Sequence, residues 1–573
     1  MFLKLGAAAA YVVAALVFWI GVEDASVARY LLVSSLAVGA LVIVNRGNWS
    51  VGPSGLMVLA CLAYYVLSLS WSLDWREGVN SLVKIAPFVV LFLVLSRSEK
   101  VFEYLPHAAC LSVFGALVLA TIPIIGEIHG GFGNRNFLAE FLVISLPFVI
   151  AGFSTKYLNI FAFITALWAG WFLAFKTTSN IPGFTLAFFL VVLTAWLWKR
   201  KKKFLFSVLS LSIMNAMIWI FVLGKEKIKN SILARMELTY NTLAMWLDAP
   251  FFGNGSGSFN FAYAGHQEDH LKYIPDFSIF GAITMYPGAA HNEIAQILAE
   301  HGIAGLVLVQ VLALVLFVHW RDKNRDYLDV AAIWTLGLAL WLSLVGFPLH
   351  NAATALIVVT AAAVISRGER AWLAGSASTP IAAYAGGVLA VLLLTTTTAH
   401  AVSQARLTVA RAIIQTPGFD SLLAFRENVR AYDLWPYDQL IRRQLIMTTA
   451  KAAFDYGKKL VIEPDAADKI YRISLTAGSH IPSTLISRLD YLLASERYMT
   501  SGEEVEGIFS ILRKNASRQA ITWLADAVYA ARIGDFPRAR DSTLELLRIN
   551  NQQPQYASQF TKKIEELFKE TTQ

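Results

Sequence analysis

Thirteen runs of roughly 17 or more mostly apolar residues dominate this chain, and a run of that kind satisfies its backbone polar groups in a bilayer only as a helix. They lie near 4–21, 29–45, 55–71, 81–96, 104–126, 136–153, 158–175, 183–198, 204–223, 303–319, 328–346, 351–366 and 380–399. A mean hydropathy of +0.53 with only 15% charged residues excludes an ordinary soluble globular protein. The expected fold class is all-α: a polytopic membrane protein of about 13 transmembrane helices. The stretch Met1 to Ile20 resembles a signal peptide, yet a mature start near Ala28 disturbs the topology below, so it is read as the first span.

Charge then orients the spans. The net charge of +8 is not a nucleic-acid footprint on this reading, because the densest basic run, Lys199 to Lys203, directly follows an apolar span, where it reads as a topology signal. No nucleic-acid partner is expected. With that run in the cytoplasm, the loops carrying Arg46, Arg97, Lys100, Lys156, Arg321, Lys323, Arg325, Arg367 and Arg370 fall on the same side. The opposite face receives the loops around Asp24, Trp71 to Asn80, Gly126 to Asn134, Lys176 to Pro182, Gly224 to Ala290 and Gly346 to Asn351. Only two cysteines occur, Cys61 and Cys110, both within apolar spans, which excludes a disulfide framework or a cysteine-based metal site.

Two domains are expected. Residues 1–400 form the membrane body with a large outer loop at 224–290, and residues 401–573, where charge becomes frequent and apolar residues take helical spacing, form a soluble helical domain on the outer side. Its clearest unit, Ile521 to Pro554, has Ala527, Gly534, Phe536 and Ala539 at the small-residue and turn positions of a tetratricopeptide-like (TPR-like) hairpin. The stretch Asn428 to Leu445 resembles the junction of two further units.

Candidate chemistry concentrates between Arg235 and Gly305. A helix over Ser231 to Asp248 carries Ile232, Leu233, Met236, Tyr240, Leu243 and Leu247 on one side, as for a helix in the membrane interface, leaving Arg235, Glu237 and Asn241 toward other faces. A guanidinium at headgroup depth suits a lipid-linked phosphate. Gly253, Gly255 and Gly257 follow, without the preceding strand of a nucleotide fingerprint, and suggest a tight turn or close approach to a ligand. His266 and His270 have a metal-compatible spacing if helical, but their flanks lack helical spacing and a polar loop is the ordinary outcome; no metal is expected. His291 opens a helix over Asn292 to His301, where partial positive charge disfavours imidazolium and leaves a base able to accept a proton. The bland alternative is a histidine capping a helix. Glu293 and Glu300, two turns apart, orient Arg235 or His291, or are simply solvated. Asn134, Arg135 and Asn136, the Lys176 to Asn180 stretch, and His350 in Phe347 to Asn351 complete a polar cluster on the outer face.

Four blocks, Phe132 to Leu142, Arg235 to Phe259, His291 to Leu306 and Phe347 to Asn351, resemble the O-antigen ligase and polymerase superfamily, which includes bacterial O-oligosaccharyltransferases. The resemblance implies a GT-C-like body and metal-independent, cofactor-free, inverting glycosyl transfer from an undecaprenyl-diphosphate-linked glycan at the periplasmic face of the bacterial inner membrane. His291 then matches the essential histidine and Arg235 a diphosphate-contacting arginine. Relatives often carry another arginine in a Ser-Arg-Gly motif, whereas this chain reads Thr178-Ser179-Asn180 and Gly183 at that place. A departing diphosphate needs cationic stabilisation, so Arg135 or Lys176 is expected to substitute. Asn134, Asn136, Glu300 and His350 are assigned to diphosphate or acceptor. The acceptor is a glycolipid (lipid A core), a second glycan or a pilin-like protein; polymerisation is the nearest alternative and a flippase or transporter a lower one.

Overall fold

The computed structural model describes residues 9, 11–17, 27–44, 48–97, 99–122, 132, 134–152, 159–175, 225–271, 289–323, 325–344, 346–376, 380–416, 421–455, 464–476, 482–494, 497–515 and 520–552. Among them, five helices are long and apolar enough to cross a membrane by length and composition: Pro53–Trp71, Trp75–Leu95, Phe102–Thr121, Glu293–Asp322 and Tyr384–Gln415. Four shorter apolar helices, Val27–Ala40, Ile160–Leu173, Tyr327–Ser343 and Ala352–Ser366, accompany them. The protein is a helical membrane protein. The expected spans at 183–198 and 204–223 lie outside the described residues.

The fold is nearly all-α, and the expectation of a purely helical chain needs one correction. Strand Asn48–Val51 pairs antiparallel with Leu373–Ser376, Trp49 opposite Gly375 and Ser50 opposite Ala374. Each strand spans only four residues, too short for alternation to register in a sequence read for apolar runs.

The chain divides into two compact units. The first contains residues 1–67, 81–231 and 290–405; the second contains 68–80, 232–289 and 406–573. At the centre of the first lies helix Arg135–Ala151, whose residues from Leu138 to Val149 are all buried. A helix apolar on every face must be surrounded. Phe141, Leu142, Ile144 and Phe148 share one core with Val113 and Leu117 of helix Leu105–Thr121, Ala332 and Leu342 of Tyr327–Ser343, and Ile357 and Val364 of Ala352–Ser366. One end of this unit is tied by charge. Asp326 and Asp329 form a capping box at the start of Tyr327–Ser343, Arg367 donates to both carboxylates, and Lys323 Nζ lies 2.9 Å from Asp329.

In the second unit the helices Ser421–Leu434, Gln439–Asp455, Pro464–Leu475, Pro482–Ala494, Gly502–Asn515, Ala520–Arg532 and Phe536–Gln552 follow one another. Leu489, Leu492, Phe509, Leu512 and Tyr529 form a core for three of them, Pro482–Ala494, Gly502–Asn515 and Ala520–Arg532. The hairpin expected near Gly534 is present: Gly534 has φ 79°, its N–H donates to Ala531 O and that of Asp535 to Ala530 O, the pair of bonds that ends a helix on a left-handed residue.

Candidate active site

In the first unit, helix Glu293–Asp322 begins with Asn292 as N-cap, its side chain accepting from the Ala295 N–H at 3.0 Å. His291 therefore lies one residue outside the helix and neither opens nor caps it, a correction to the sequence reading. Its backbone has φ 53°, and it is the single non-glycine residue in the left-handed region among those described. That conformation costs an L-residue about 1–2 kcal/mol, and strain of this kind concentrates where geometry is imposed for function. Gly302, with φ 64°, breaks the same helix two and a half turns later. The Tyr64 hydroxyl donates to His301 O at 2.8 Å beside the break. A Cβ on Gly305 would sit 2.3 Å from His301 Cβ, which accounts for the second glycine of the Gly302–Gly305 pair.

Phe347 gathers the remaining pieces. The His291 ring meets the Phe347 ring edge-to-face at 4.3 Å between centroids; Phe137 meets it at 5.1 Å and His350 at 5.7 Å. Glu293 accepts from the Leu349 N–H at 3.2 Å and lies 3.3 Å from His350 Nδ1, while the Tyr30 hydroxyl donates to His350 O at 3.0 Å. Glu293 thus engages the 348–350 turn. Dehydration pulls the His350 pKa down, but the charge and hydrogen bond of Glu293, with Glu300 behind it, outweigh that and the opposing Lys84, leaving it above the ordinary histidine value.

The other nominated residues of this unit fall close in sequence to the same elements. Asn134 is the N-cap of Arg135–Ala151 and accepts from the Asn136 N–H at 2.8 Å; Arg135, its first helical residue, is exposed. Glu300 is buried in the helix that follows His291. Lys176, and the Thr178 to Gly183 stretch, lie outside the described residues.

Arg235 belongs to the second unit, half-buried in helix Lys225–Asp248. This helix is inside out by the standards of a soluble protein. Glu237, Asn241 and Thr242 are buried, Asn241 donating to the Tyr263 hydroxyl at 3.1 Å, whereas Met236, Tyr240 and Leu247 are 62%, 53% and 68% exposed. Phe251 and Phe252 extend the exposed apolar surface beyond its end. The three glycines that follow all have positive φ: 68° at Gly253, 88° at Gly255 and 79° at Gly257. Here the close approach is to protein, since a Cβ on Gly255 would lie 2.3 Å from Ser72 Cα and one on Gly257 2.2 Å from the Gly78 nitrogen. The Ser68 and Ser256 hydroxyls are hydrogen-bonded, and Ser72 donates to Ser256 O at 2.7 Å.

The segment with His266 is helical, Phe259–Leu271, and not the loop expected from its flanks. His266 Nε2 lies 2.7 Å from Asp248, so a carboxylate is the partner of that nitrogen. Among the described residues no three His, Cys, Asp or Glu side chains gather as metal ligands. What the sequence missed was Glu293 as the partner of His350, and the 68–80 segment as part of the second unit. Neither had a local signal: Glu293 stands 57 positions from His350, and the 68–80 segment offered only its acidic residues.

A helical membrane protein thus presents, in one unit, two histidines on a shared aromatic ring with a carboxylate behind one of them. Residues 161–310 match the family model described as O-antigen ligase. The match takes in two of the four quoted blocks, Arg235 to Phe259 and His291 to Leu306, and supports the O-antigen ligase superfamily. Members of that family are ligase- or polymerase-like, glycosyltransferase-like enzymes acting on lipid-linked glycans, and the matched residues are 150 of the 573 in this chain. No curated protein matches the chain.

Proposed function

We propose that this protein is an inverting, metal-independent glycosyltransferase moving a glycan from undecaprenyl diphosphate to an acceptor hydroxyl at the periplasmic face of the inner membrane. The observation that carries the reading is His291: a strained left-handed residue, inside the segment the family model matches, with its ring against Phe347. His291 takes the proton of the acceptor hydroxyl as that oxygen attacks the anomeric carbon, and the diphosphate leaves from the opposite face with the bonding electrons. Arg235 and Arg135 stabilise the charge it carries, with Lys176 as a further cation. Asn134, Asn136, Glu300 and His350 line the diphosphate and acceptor positions.

The same reading comprises a 13-span, GT-C-like body over residues 1–400, with a cytoplasmic N-terminus and the outer loop 224–290, and a periplasmic TPR-like domain over 401–573. The added helical domain favours a pilin-like protein acceptor over lipid A core. Polymerisation onto a second lipid-linked glycan uses identical chemistry and is the alternative.

Purified protein in nanodiscs, given an undecaprenyl-diphosphate-linked glycan and an acceptor, should release undecaprenyl diphosphate. An absence of release with every acceptor class eliminates the transferase reading. Mass spectrometry of periplasmic and pilus proteins after gene deletion, beside a gel of surface polysaccharide, separates protein glycosylation from ligation and polymerisation.

A further inference from the structure

Glu293 does two things to one short turn. It accepts from the Leu349 N–H, which fixes the backbone before His350, and it faces His350 Nδ1 at 3.3 Å, at the long end of hydrogen-bonding range. A carboxylate only accepts, so Nδ1 must carry a proton and Nε2 becomes the ring atom left for another partner. The side chain of His350 is 39% exposed against 11% for Glu293, so the imidazole is reachable while its carboxylate is sheltered. Tyr30 holds the His350 carbonyl, and Phe347 packs against the imidazoles of both His350 and His291.

We propose that Glu293 is a positioning residue that holds His350 as an imidazolium, with Nε2–H directed to an oxygen of the lipid-linked diphosphate. This rests on the transfer reading given above. It assigns His350 to the leaving group rather than to the acceptor. The imidazolium keeps its proton throughout; it offsets the charge that reaches the diphosphate oxygen when the anomeric C–O bond breaks and that oxygen takes the electron pair.

The charged surroundings agree. Helix Glu293–Asp322 presents Glu293 and Glu300, Lys84 opposes them from helix Trp75–Leu95, and Tyr30 faces the turn from Val27–Val44. On Arg135–Ala151, Glu140 lies beside Gly346, where a Cβ would stand 2.7 Å from its Oε1. Among the described residues, Glu293 and Glu300 outweigh dehydration and Lys84 at His350, and the net effect raises its pKa.

The test uses full-length protein carrying 13C-labelled histidine in detergent micelles, the His350 resonance being assigned by its loss in His350→Gln. Its titration midpoint should fall by about one pH unit in Glu293→Gln and by less in Glu293→Asp. A midpoint unmoved by Glu293→Gln overturns the proposal, because a carboxylate that merely caps the turn leaves the titration where it was. Farnesyl diphosphate should bind the wild type in nanodiscs more tightly at pH 6 than at pH 8.5, and that pH dependence should vanish in His350→Gln; pH-independent binding by the wild type also overturns it. If titration and binding behave as stated but no glycan acceptor ever releases undecaprenyl diphosphate, the diphosphate site stands and the transferase reading fails.

Discussion

Arg442 and Asp74, 368 positions apart, form a fully buried ion pair in which one guanidinium nitrogen donates to both carboxylate oxygens at 2.8 and 2.9 Å. Arg442 also donates to Thr476 O and Tyr437 O. Around them Trp435 Nε1 donates to Asn80 at 2.8 Å and the Gln439 N–H to Glu77 at 2.7 Å, so the 68–80 segment is held within the second unit by polar bonds at several points. Burial pushes the Asp74 carboxyl above the usual carboxylate range, although Arg442 and the Glu77 N–H pull against it. The pair therefore specifies which segment docks more than it adds stability.

Removing one partner leaves the other charge buried alone. Arg442→Met should lower stability by about 3–5 kcal/mol, whereas the double change Arg442→Met with Asp74→Leu should recover most of that loss. Thermal unfolding in detergent of the wild type, both single variants and the double variant measures the coupling; additive losses would show that the pair does not act as a unit.

His291→Gly should separate stability from activity. Glycine adopts φ 53° without a Cβ clash, so the variant should be as stable as wild type or more stable by about 1 kcal/mol. Transfer should fall by roughly 10²–10⁴-fold with the loss of the proton acceptor. A variant both unstable and active would place His291 in the packing and outside the chemistry.

The exposed apolar face of helix Lys225–Asp248 should meet lipid. In a protein whose Cys61 and Cys110 are replaced by serine, an environment-sensitive dye on a cysteine introduced at Met236 should emit further to the blue in nanodiscs than the same dye at Asp248. Equal, water-like emission at both positions would show that the bilayer does not cover this face.

Acid should weaken the second unit in a defined window. Burial raises the Glu427 and Asp468 carboxyls, but hydrogen bonds and charge from Arg406 and Arg430, and from Arg488 and Arg497, outweigh it and leave both below their ordinary values. A depressed carboxylate stabilises the fold fully above its unfolded pKa, here 4.5 and 3.8, and loses that contribution as pH falls through the folded values. Hydrogen-exchange protection of helices Ser421–Leu434 and Pro482–Ala494, corrected for intrinsic rates, should hold from pH 7 to about 5 and decline below about 4. Arg488→Gln should move the onset for Pro482–Ala494 upward in pH.

Arg135→Ala tests the substitute cation. Its exposed position at a helix start gives it little part in packing, so the variant should fold normally and transfer more slowly. Full activity would remove Arg135 from the site.

The sequence by itself determined that this is a helical membrane protein, because long apolar runs with few charges leave a bilayer helix as the stable solution. It also fixed the blocks around Arg235 and His291 as the place to look, and the helix, turn and helix around Gly534, since caps and turn glycines are local in sequence. What it left open were partnerships between residues far apart. No periodicity reports that Glu293 reaches His350, that Gly255 and Gly257 yield to the backbone of residues 72–78, or that Asp74 belongs with Arg442. The helix Lys225–Asp248 shows the limit most plainly: its apolar stripe was legible, but that Glu237 and Asn241 turn into protein while Met236 and Leu247 turn outward depended on what packs against each face, and only the tertiary structure supplies that.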